Sequence, residues 1–274
     1  MPMDWEELDP RAGDPEARLS LHYAVQPVAA VGQSLAPKAA DYSQQSLTID
    51  GPRRWLGVAV AGGTLRAGID PVKLELLLCD GAGSPLAALP LEGKTVAEGV
   101  AFLATELQRR GQLSSPLALP KHPADFPHHP LDGSARFAAG GERARTEVAR
   151  LFAGTHGLLA ELRGDQQAPP RLWPHHFDLG CVIQVGAISL NRGVSPGDGA
   201  AGRPYWYATP WPRPRLDRLP ALEGGGSWHL EGWIGAELPL ARLGRGAAAQ
   251  REQVAAFFRS ALRAAKSFSA QVEV

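Results

Sequence analysis

WPHHFDLGCVIQV at residues 173–185, PYWYATPW at 204–211 and SWHLEGWIGAEL at 227–238 are the stretches that decide how this chain folds. The region from Trp173 to Trp233 holds five of the seven tryptophans in the chain. Large aromatic side chains are costly to leave in water, so this density marks either a packing centre or a ligand surface. The sequence locates that surface without defining its chemistry.

Alternation along these stretches predicts strands that have one core face and one polar face. Successive side chains of a strand point to opposite sides of its sheet. In 177–185 one set is wholly apolar and predicts the core: Phe177, Leu179, Cys181, Ile183 and Val185. The strand predicted at 227–238 has a matching apolar set: Trp228, Leu230, Ile234 and Leu238.

Four side chains on the polar faces suit metal binding or acid–base chemistry: His176, Asp178, His229 and Glu231. If the two strands lie near each other, these imidazoles and carboxylates converge and are sufficient to hold a divalent metal. His176, His229 and Glu231 are then the predicted catalytic residues. The alternative interpretation is that an antiparallel sheet simply keeps its outer face polar.

Four further residues are predicted to bind a ligand beside this set: Trp233, Tyr205, Tyr207 and Asp198. Trp233 supplies an apolar wall, and the two tyrosines are spaced to line the same space. Asp198 ends the SPGD turn at 195–198. It acts there either as a ligand or as the residue that holds the turn through side-chain hydrogen bonds.

The order of the elements predicts an α+β fold in which a helix–antiparallel sheet–helix pattern occurs twice. The first half, residues 1–111, starts with a helix that Pro27 interrupts and continues through four strand-like runs. It ends with a helix that begins at a capping box between Thr95 and Glu98. The repeated order suggests two similar halves and an internal duplication.

The second half, residues 135–274, carries the aromatic segment. A helix is predicted at about 135–163 and a closing helix at about 247–269, both from apolar residues at helical spacing. The strands between them are predicted at 176–185, 187–193, 204–210 and 227–238.

Residues 112–134, between the halves, predict a linker rich in proline and histidine. His122, His128 and His129 lie in it. A histidine cluster of this kind can bind a metal, but coil of this composition favours a solvated loop.

Composition excludes several classes of protein. The 28 basic and 28 acidic residues balance, which argues against nucleic acid as a partner. No apolar run is long enough to span a bilayer, and the polar, acidic N-terminus does not resemble a signal peptide. Cys79 and Cys181 lie in apolar runs and are predicted to be reduced core residues. We therefore expect a cytoplasmic bacterial protein with no membrane partner.

Several motifs resemble, in their order, a bacterial family of unknown function catalogued as domain of unknown function 5996. They are LHYAVQ near the N-terminus, then WPHHFDL, SPGD and PYWYATPWPRP. The resemblance spans most of the chain, but this chain has SQQSLTID where the family carries tryptophan and histidine. It implies a fold and a chain length but no activity.

The sequence thus leads to two hypotheses about function. The first is a small-molecule-binding protein or metal-dependent enzyme that uses the polar face of the C-terminal sheet, with a divalent metal as the one suggested cofactor. The alternative is a non-catalytic structural or protein-interaction module, in which the aromatic segment forms the core and an oligomer interface. Oligomerisation stays open under both.

Overall fold

The computed structural model describes residues 5–163, 168–198, 202–215, 217 and 219–272. It contains helices and antiparallel strands, so the predicted α+β class is confirmed. The chain forms two compact units. The N-terminal unit comprises Asp14–Ala149 and Arg171–Phe177, and the C-terminal unit comprises Met1–Gly13, Arg150–Pro170 and Asp178–Val274.

Three helices belong to the N-terminal unit: α1 (Pro15–Ala24), α2 (Gln26–Leu35) and α3 (Val96–Arg109). The predicted interruption near Pro27 is confirmed, because α1 and α2 are separate helices and Pro27 lies in the first turn of α2. Proline is tolerated there since the first N–H groups of a helix have no partner within it. The predicted capping box is also confirmed: Thr95 Oγ1 accepts from Glu98 N at 3.1 Å, and Glu98 Oε2 accepts from Thr95 N at 2.8 Å.

The N-terminal unit has six strands: β1 (Leu47–Ile49), β2 (Trp55–Gly57), β3 (Leu65–Asp70), β4 (Glu75–Asp80), β5 (Pro85–Pro90) and β6 (Arg171–Trp173). Their order is β6-β1-β2-β3-β4-β5, and every pair is antiparallel. The sequence PLAALP of β5 did not predict a strand, because proline occurs at both ends. At the edge of a sheet, however, proline is tolerated.

Helices α2 and α3 pack on one face of these strands. That face carries Trp55, Ile69, Leu76 and Leu78, all buried. Gly99 of α3 lies so close that a Cβ there would be 2.9 Å from Leu76 Cδ1. A larger residue at this position would therefore force the Leu76 side chain to shift.

Residues 112–134 are coil apart from one short 3-10 turn, Pro130–Asp132, but they are not a solvated linker. Phe126 and Leu131 are buried, and Tyr23 donates its hydroxyl to the carbonyl of Pro127 at 2.7 Å. This segment is therefore packed within the N-terminal unit, and the predicted boundaries at 112–134 do not separate the two units.

The described residues of the C-terminal unit form five strands: β7 (Asp178–Val185), β8 (Ile188–Ser195), β9 (Tyr205–Trp211), β10 (Ser227–His229) and β11 (Gly235–Pro239). Their order is β10-β11-β9-β8-β7, and every pair is antiparallel. Its closing helix, α5 (Ala247–Val272), packs on β7, β8, β9 and β11.

Helix α4 (Glu142–Leu162) begins later than predicted, and its residues from Arg150 onward count with the C-terminal unit. Gly140 and Gly141 have φ values of 81° and 73°, which a right-handed helix does not accommodate. The apolar residue Phe137 therefore packs from the coil before the helix.

The predicted core face of the C-terminal strands is confirmed, since Leu179, Cys181, Ile183 and Val185 are all buried. The strand predicted at 227–238 is in fact a hairpin, in which His229 pairs with Gly235. Its turn leaves Leu230 49% exposed, so placing this residue in the core was wrong.

The predicted internal duplication stays a prediction.

None of the helices, as far as the structure describes them, combines the length and the apolar content that crossing a membrane requires.

Candidate functional site

The structure does not bring together the four residues predicted to bind a metal and to act in catalysis, which are His176, Asp178, His229 and Glu231. Asp178 lies on β7 and His229 on β10, at opposite edges of the C-terminal strands. Four inter-strand spacings separate these strands, or about 19 Å. Glu231 lies in the turn after β10, and His176 belongs to the N-terminal unit. Across the described ranges, no group of three or more His, Cys, Asp or Glu side chains is placed to hold a metal ion.

His176 is a surface residue of the N-terminal unit. Its Nδ1 lies 3.8 Å from Asp125 Oδ2, and its side chain is 50% exposed. Its ring is 4.6 Å from that of His175. The prediction that His176 and Asp178 share one face of a strand is wrong, because β7 begins only at Asp178. The residue before it, Phe177, lies in a turn and has a φ of 55°.

Tyr207 and Asp178 form a hydrogen-bonded pair across the middle of the polar face of the C-terminal strands. The Tyr207 hydroxyl donates to Asp178 Oδ2. The tyrosine is on β9 and the aspartate on β7, so its ring must cross β8. A Cβ on Gly180 or Gly193 would lie 2.6 Å from the Tyr207 hydroxyl oxygen. These two cross-strand glycines therefore make room for the pair.

A second tyrosine–aspartate pair forms at the end of the same face. The Tyr205 hydroxyl donates to Asp198 Oδ2, and Ser195 Oγ donates to Asp198 Oδ1 at 3.0 Å. The N–H of Gly197 donates to Ser195 Oγ at 3.1 Å. Asp198 thus holds its turn by side-chain hydrogen bonds, as one of the two interpretations predicted.

Both tyrosine hydroxyls stay protonated at neutral pH. Burial, followed by the charge of Asp178, raises the pKa of Tyr207 well above its ordinary value. Burial and the hydrogen bond to Asp198 raise the pKa of Tyr205 as well. These hydroxyls are therefore fixed neutral donors and do not serve as bases.

Three near-parallel rings form what we call the aromatic stack: His229, Trp233 and Tyr205. The Trp233 centroid lies 4.3 Å from that of His229 at an interplanar angle of 12°, and 6.2 Å from that of Tyr205 at 21°. His229 Nδ1 donates to the Trp233 carbonyl at 2.9 Å, which leaves its Nε2 as an acceptor when the ring is neutral. All three side chains are only partly buried.

Gly235 positions the stack. A Cβ there would lie 2.6 Å from Trp233 Cζ3, so the indole rests directly on the backbone of β11. Glu237 follows on the same face, opposite Tyr207 in register. The stack, Glu237 and the Tyr207–Asp178 pair therefore lie side by side on one face of the C-terminal strands, where Tyr207 itself is only 8% exposed. The structure thus brings together all four residues that the sequence predicted to bind a ligand.

The N-terminal unit holds a second cluster of histidine and aromatic rings, which the sequence did not predict. His22 is 4% exposed, and its ring lies 5.2 Å from Phe177 at 16° and 4.5 Å from Phe126. Burial lowers the pKa of His22 to about 3, so its ring is neutral at physiological pH. We call this cluster the His22 centre.

The polar atoms of the His22 centre are hydrogen-bonded to one another. His22 Nε2 donates to the Pro174 carbonyl at 2.9 Å, and Gln26 Nε2 donates to the same oxygen at 2.8 Å. Gln26 Oε1 accepts from His122 Nε2 at 3.2 Å. The motifs LHYAVQ and WPHHF thus meet here, and the four-residue spacing of His22 and Gln26 was the signal that could have revealed it.

No protein-family model, curated protein or solved structure matches this chain. The resemblance to the uncharacterised bacterial family stays a prediction. The aromatic stack and its surroundings are therefore the features of the molecule that bear on its function.

Proposed function

We propose that this is a cytoplasmic small-molecule-binding protein and that its ligand site is the aromatic stack together with the Tyr207–Asp178 pair. The observation that carries the proposal is that three near-parallel rings are partly exposed on a sheet face beside two tyrosine–aspartate pairs. Rings that are held rigidly and left partly open offer flat apolar area to a planar ligand.

The hydrogen bonds around the stack favour binding over chemistry. Each tyrosine hydroxyl is committed to a carboxylate, and the raised pKa values of Tyr205 and Tyr207 keep both protonated. Ser195 donates to Asp198 and has no adjacent imidazole base among its hydrogen-bond partners in the described chain. The face therefore presents positioned groups that can orient a ligand, but no activated nucleophile.

The charges on this face favour a ligand with a positive group. Asp178, Asp198 and Glu237 all lie on it, and Glu231 lies in the adjoining turn. In the part of the chain that the structure describes, no ion pair involves Glu231 or Glu237. Aromatic faces beside carboxylates suit an organic cation, through cation–π and charge-assisted contacts.

Calorimetric titration with tryptamine tests this proposal. Tryptamine carries a planar ring and an ammonium group, and indole-3-acetate is its anionic counterpart. We expect saturable binding of tryptamine and at least tenfold weaker binding of indole-3-acetate. Trp233→Leu should weaken tryptamine binding by about tenfold, which corresponds to about 1.4 kcal/mol.

Trp211→Leu is the matched control for that titration. Trp211 is on the same face of β9 but is 67% exposed and lies outside the stack. Its replacement should leave tryptamine affinity unchanged. Equal weakening by both variants, or no binding to the parent protein, would overturn the proposed function.

Self-association is the second candidate function, and the exposure of Trp211 is the observation that favours it. Val182 is also exposed on the same face. Sedimentation velocity of the parent protein and of Trp211→Ser tests this candidate. A concentration-dependent dimer that Trp211→Ser abolishes would support it, and a monomer at all concentrations would exclude it.

A further inference from the structure

Arg192 is a buried cation in the core of the C-terminal unit. It lies on β8, opposite Cys181 of β7 and Ala208 of β9, and is only 1% exposed. A guanidinium remains charged in proteins, and a buried one is normally paired with a carboxylate. Within the described ranges, Arg192 forms no ion pair, and its Nε and Nη2 have no hydrogen-bond partner. One edge of the guanidinium therefore lacks an acceptor.

Cys181 is the titratable group that faces this arginine. It is a free thiol and is buried. Burial raises the pKa of the thiol, and the charge of Arg192 is the largest effect that opposes this shift. Arg163 is the other charged group that acts on this thiol, and it is also a cation. The charge that acts most strongly on the sulfur is therefore that of the Arg192 guanidinium.

We propose that Cys181 is a site of oxidative modification, at which peroxide converts the thiol to a sulfinate that pairs with the Nε and Nη2 edge of Arg192. A sulfinate carries two oxygens in nearly the same arrangement as a carboxylate. It can therefore accept two parallel hydrogen bonds from that edge. The modification would supply the acceptor that the buried guanidinium lacks.

The chemistry requires two molecules of hydrogen peroxide. In the first step the sulfur attacks one peroxide oxygen, an S–O bond forms, the O–O bond breaks, and the thiol proton leaves with the departing hydroxide as water. In the second step the sulfenic acid reacts in the same way with another peroxide and gives a sulfinic acid, which loses a proton. Each step transfers two electrons from sulfur to peroxide. Peroxide is small and neutral, so a local opening of the core is enough to admit it.

Cys79 provides an internal control. It is also a free and fully buried thiol, and its pKa is likewise raised by burial. The two arginines beside it, however, have acceptors for all but one of their inward N–H groups, because only Arg54 Nε has no hydrogen-bond partner among the described residues. Arg66 donates to the Gly57 carbonyl and to Thr48 Oγ1, both at 2.9 Å, and Arg54 pairs with Asp50. An oxidised Cys79 would therefore be a buried anion without the two adjacent free N–H groups of one guanidinium that Arg192 offers.

The first test replaces each cysteine by aspartate, whose carboxylate has the shape and charge of a cysteine sulfinate. We expect Cys181→Asp to melt at or above the temperature of the parent protein, because its carboxylate pairs with Arg192. Cys79→Asp should melt roughly 10 °C or more below the parent, as a buried and unpaired charge does. A loss for Cys181→Asp as large as that for Cys79→Asp would overturn the proposal.

The second test exposes the folded parent protein to hydrogen peroxide and follows each cysteine by peptide mass spectrometry. The Cys181 peptide should gain the mass of two oxygen atoms while the Cys79 peptide remains reduced. The oxidised protein should melt no lower than the reduced one. Arg192→Lys keeps the charge but loses the pair of parallel N–H donors. It should remove the preference of peroxide oxidation for Cys181 over Cys79. Equal oxidation of both cysteines, or an oxidised Cys181 that lowers the melting temperature, would contradict the proposal.

Discussion

The His22 centre and the aromatic stack use the same types of side chain in opposite ways. In the N-terminal unit, the His22 ring is fully enclosed by Phe126 and Phe177, and its Nε2 is bonded to a carbonyl. In the C-terminal unit, the rings of Trp233 and Tyr205 stack on each other but remain partly exposed. A histidine–aromatic cluster is thus a structural centre when it is closed and becomes a candidate binding surface only when ring faces stay accessible.

Replacing His22 is the most severe way to break the closed cluster. His22→Ala removes a buried ring and leaves the Pro174 carbonyl without one of its two donors. We expect a loss of about 3–5 kcal/mol in the free energy of unfolding, as for large-to-small changes in a core. Urea denaturation measures this loss. The exposed His128 is the matched control, and His128→Ala should change stability by less than about 0.5 kcal/mol. Equal losses would show that His22 is not a structural centre.

Gly193→Ala tests whether the polar face depends on the two glycines, Gly180 and Gly193, over which the Tyr207 side chain lies. The added Cβ would lie 2.6 Å from the Tyr207 hydroxyl and 2.2 Å from the Leu179 carbonyl. We expect a loss of about 1–3 kcal/mol in stability, together with weaker tryptamine binding, because Tyr207 is displaced. Gly133→Ala is the control, since a Cβ there meets only the Pro130 carbonyl at 3.7 Å. Unchanged stability and binding in Gly193→Ala would contradict the described packing.

Lowering the pH should distinguish the two clusters, because it reduces the stability that the closed His22 centre contributes to the fold. The pKa of His22 is about 3 in the folded protein, against an ordinary value of 6.5, so the unfolded chain binds the proton first. Stability contributed by the neutral ring is fully present above pH 6.5 and is lost as the pH falls from there toward 3. The slope approaches about 1.4 kcal/mol per pH unit for one such group.

His175, whose pKa is lowered to about 4, adds to this loss between pH 6.5 and 4. Urea denaturation at a series of pH values measures the slope. Proton NMR should show that the His22 ring of the folded protein does not titrate between pH 5 and 8. A His22 midpoint near 6.5 would refute the assigned environment.

Tyr207→Phe should have the smallest effect, since it removes one hydroxyl and leaves the ring on its glycines. We expect a loss of about 1 kcal/mol, because Asp178 keeps its position but loses a donor. Thermal unfolding at neutral pH measures the change. A loss as large as that of His22→Ala would show that the open surface is as structurally important as the closed cluster.

Much of the fold could be predicted because local signals agreed with the final packing. The Thr95–Glu98 capping box fixed the start of α3, and alternation along β7 separated the core face from the polar face. The hairpin at β10 and β11 was missed because its turn, between His229 and Gly235, continues the alternation of a single strand.

The parts of the site that depend on strand order could not be predicted. Alternation assigned His229 and Asp178 to polar faces, but only pairing shows that their strands, β10 and β7, lie four strand positions apart. The His22 centre joins residues about one hundred and fifty positions apart, as in the 152-residue separation of His22 and Pro174. Such contacts leave no periodic signal in the sequence. The burial of Arg192 could likewise not be predicted, because a charged residue in a strand normally predicts an exposed position.

Following the seven tryptophan indole N–H signals by NMR during titration with tryptamine tests the central claim most directly. If the aromatic stack is the ligand site, the Trp233 signal should shift saturably. Trp211, at the other end of the same face, should shift far less, and the fully buried Trp55 should not shift at all. A saturable shift centred on any tryptophan other than Trp233, or no saturable shift, would contradict the account.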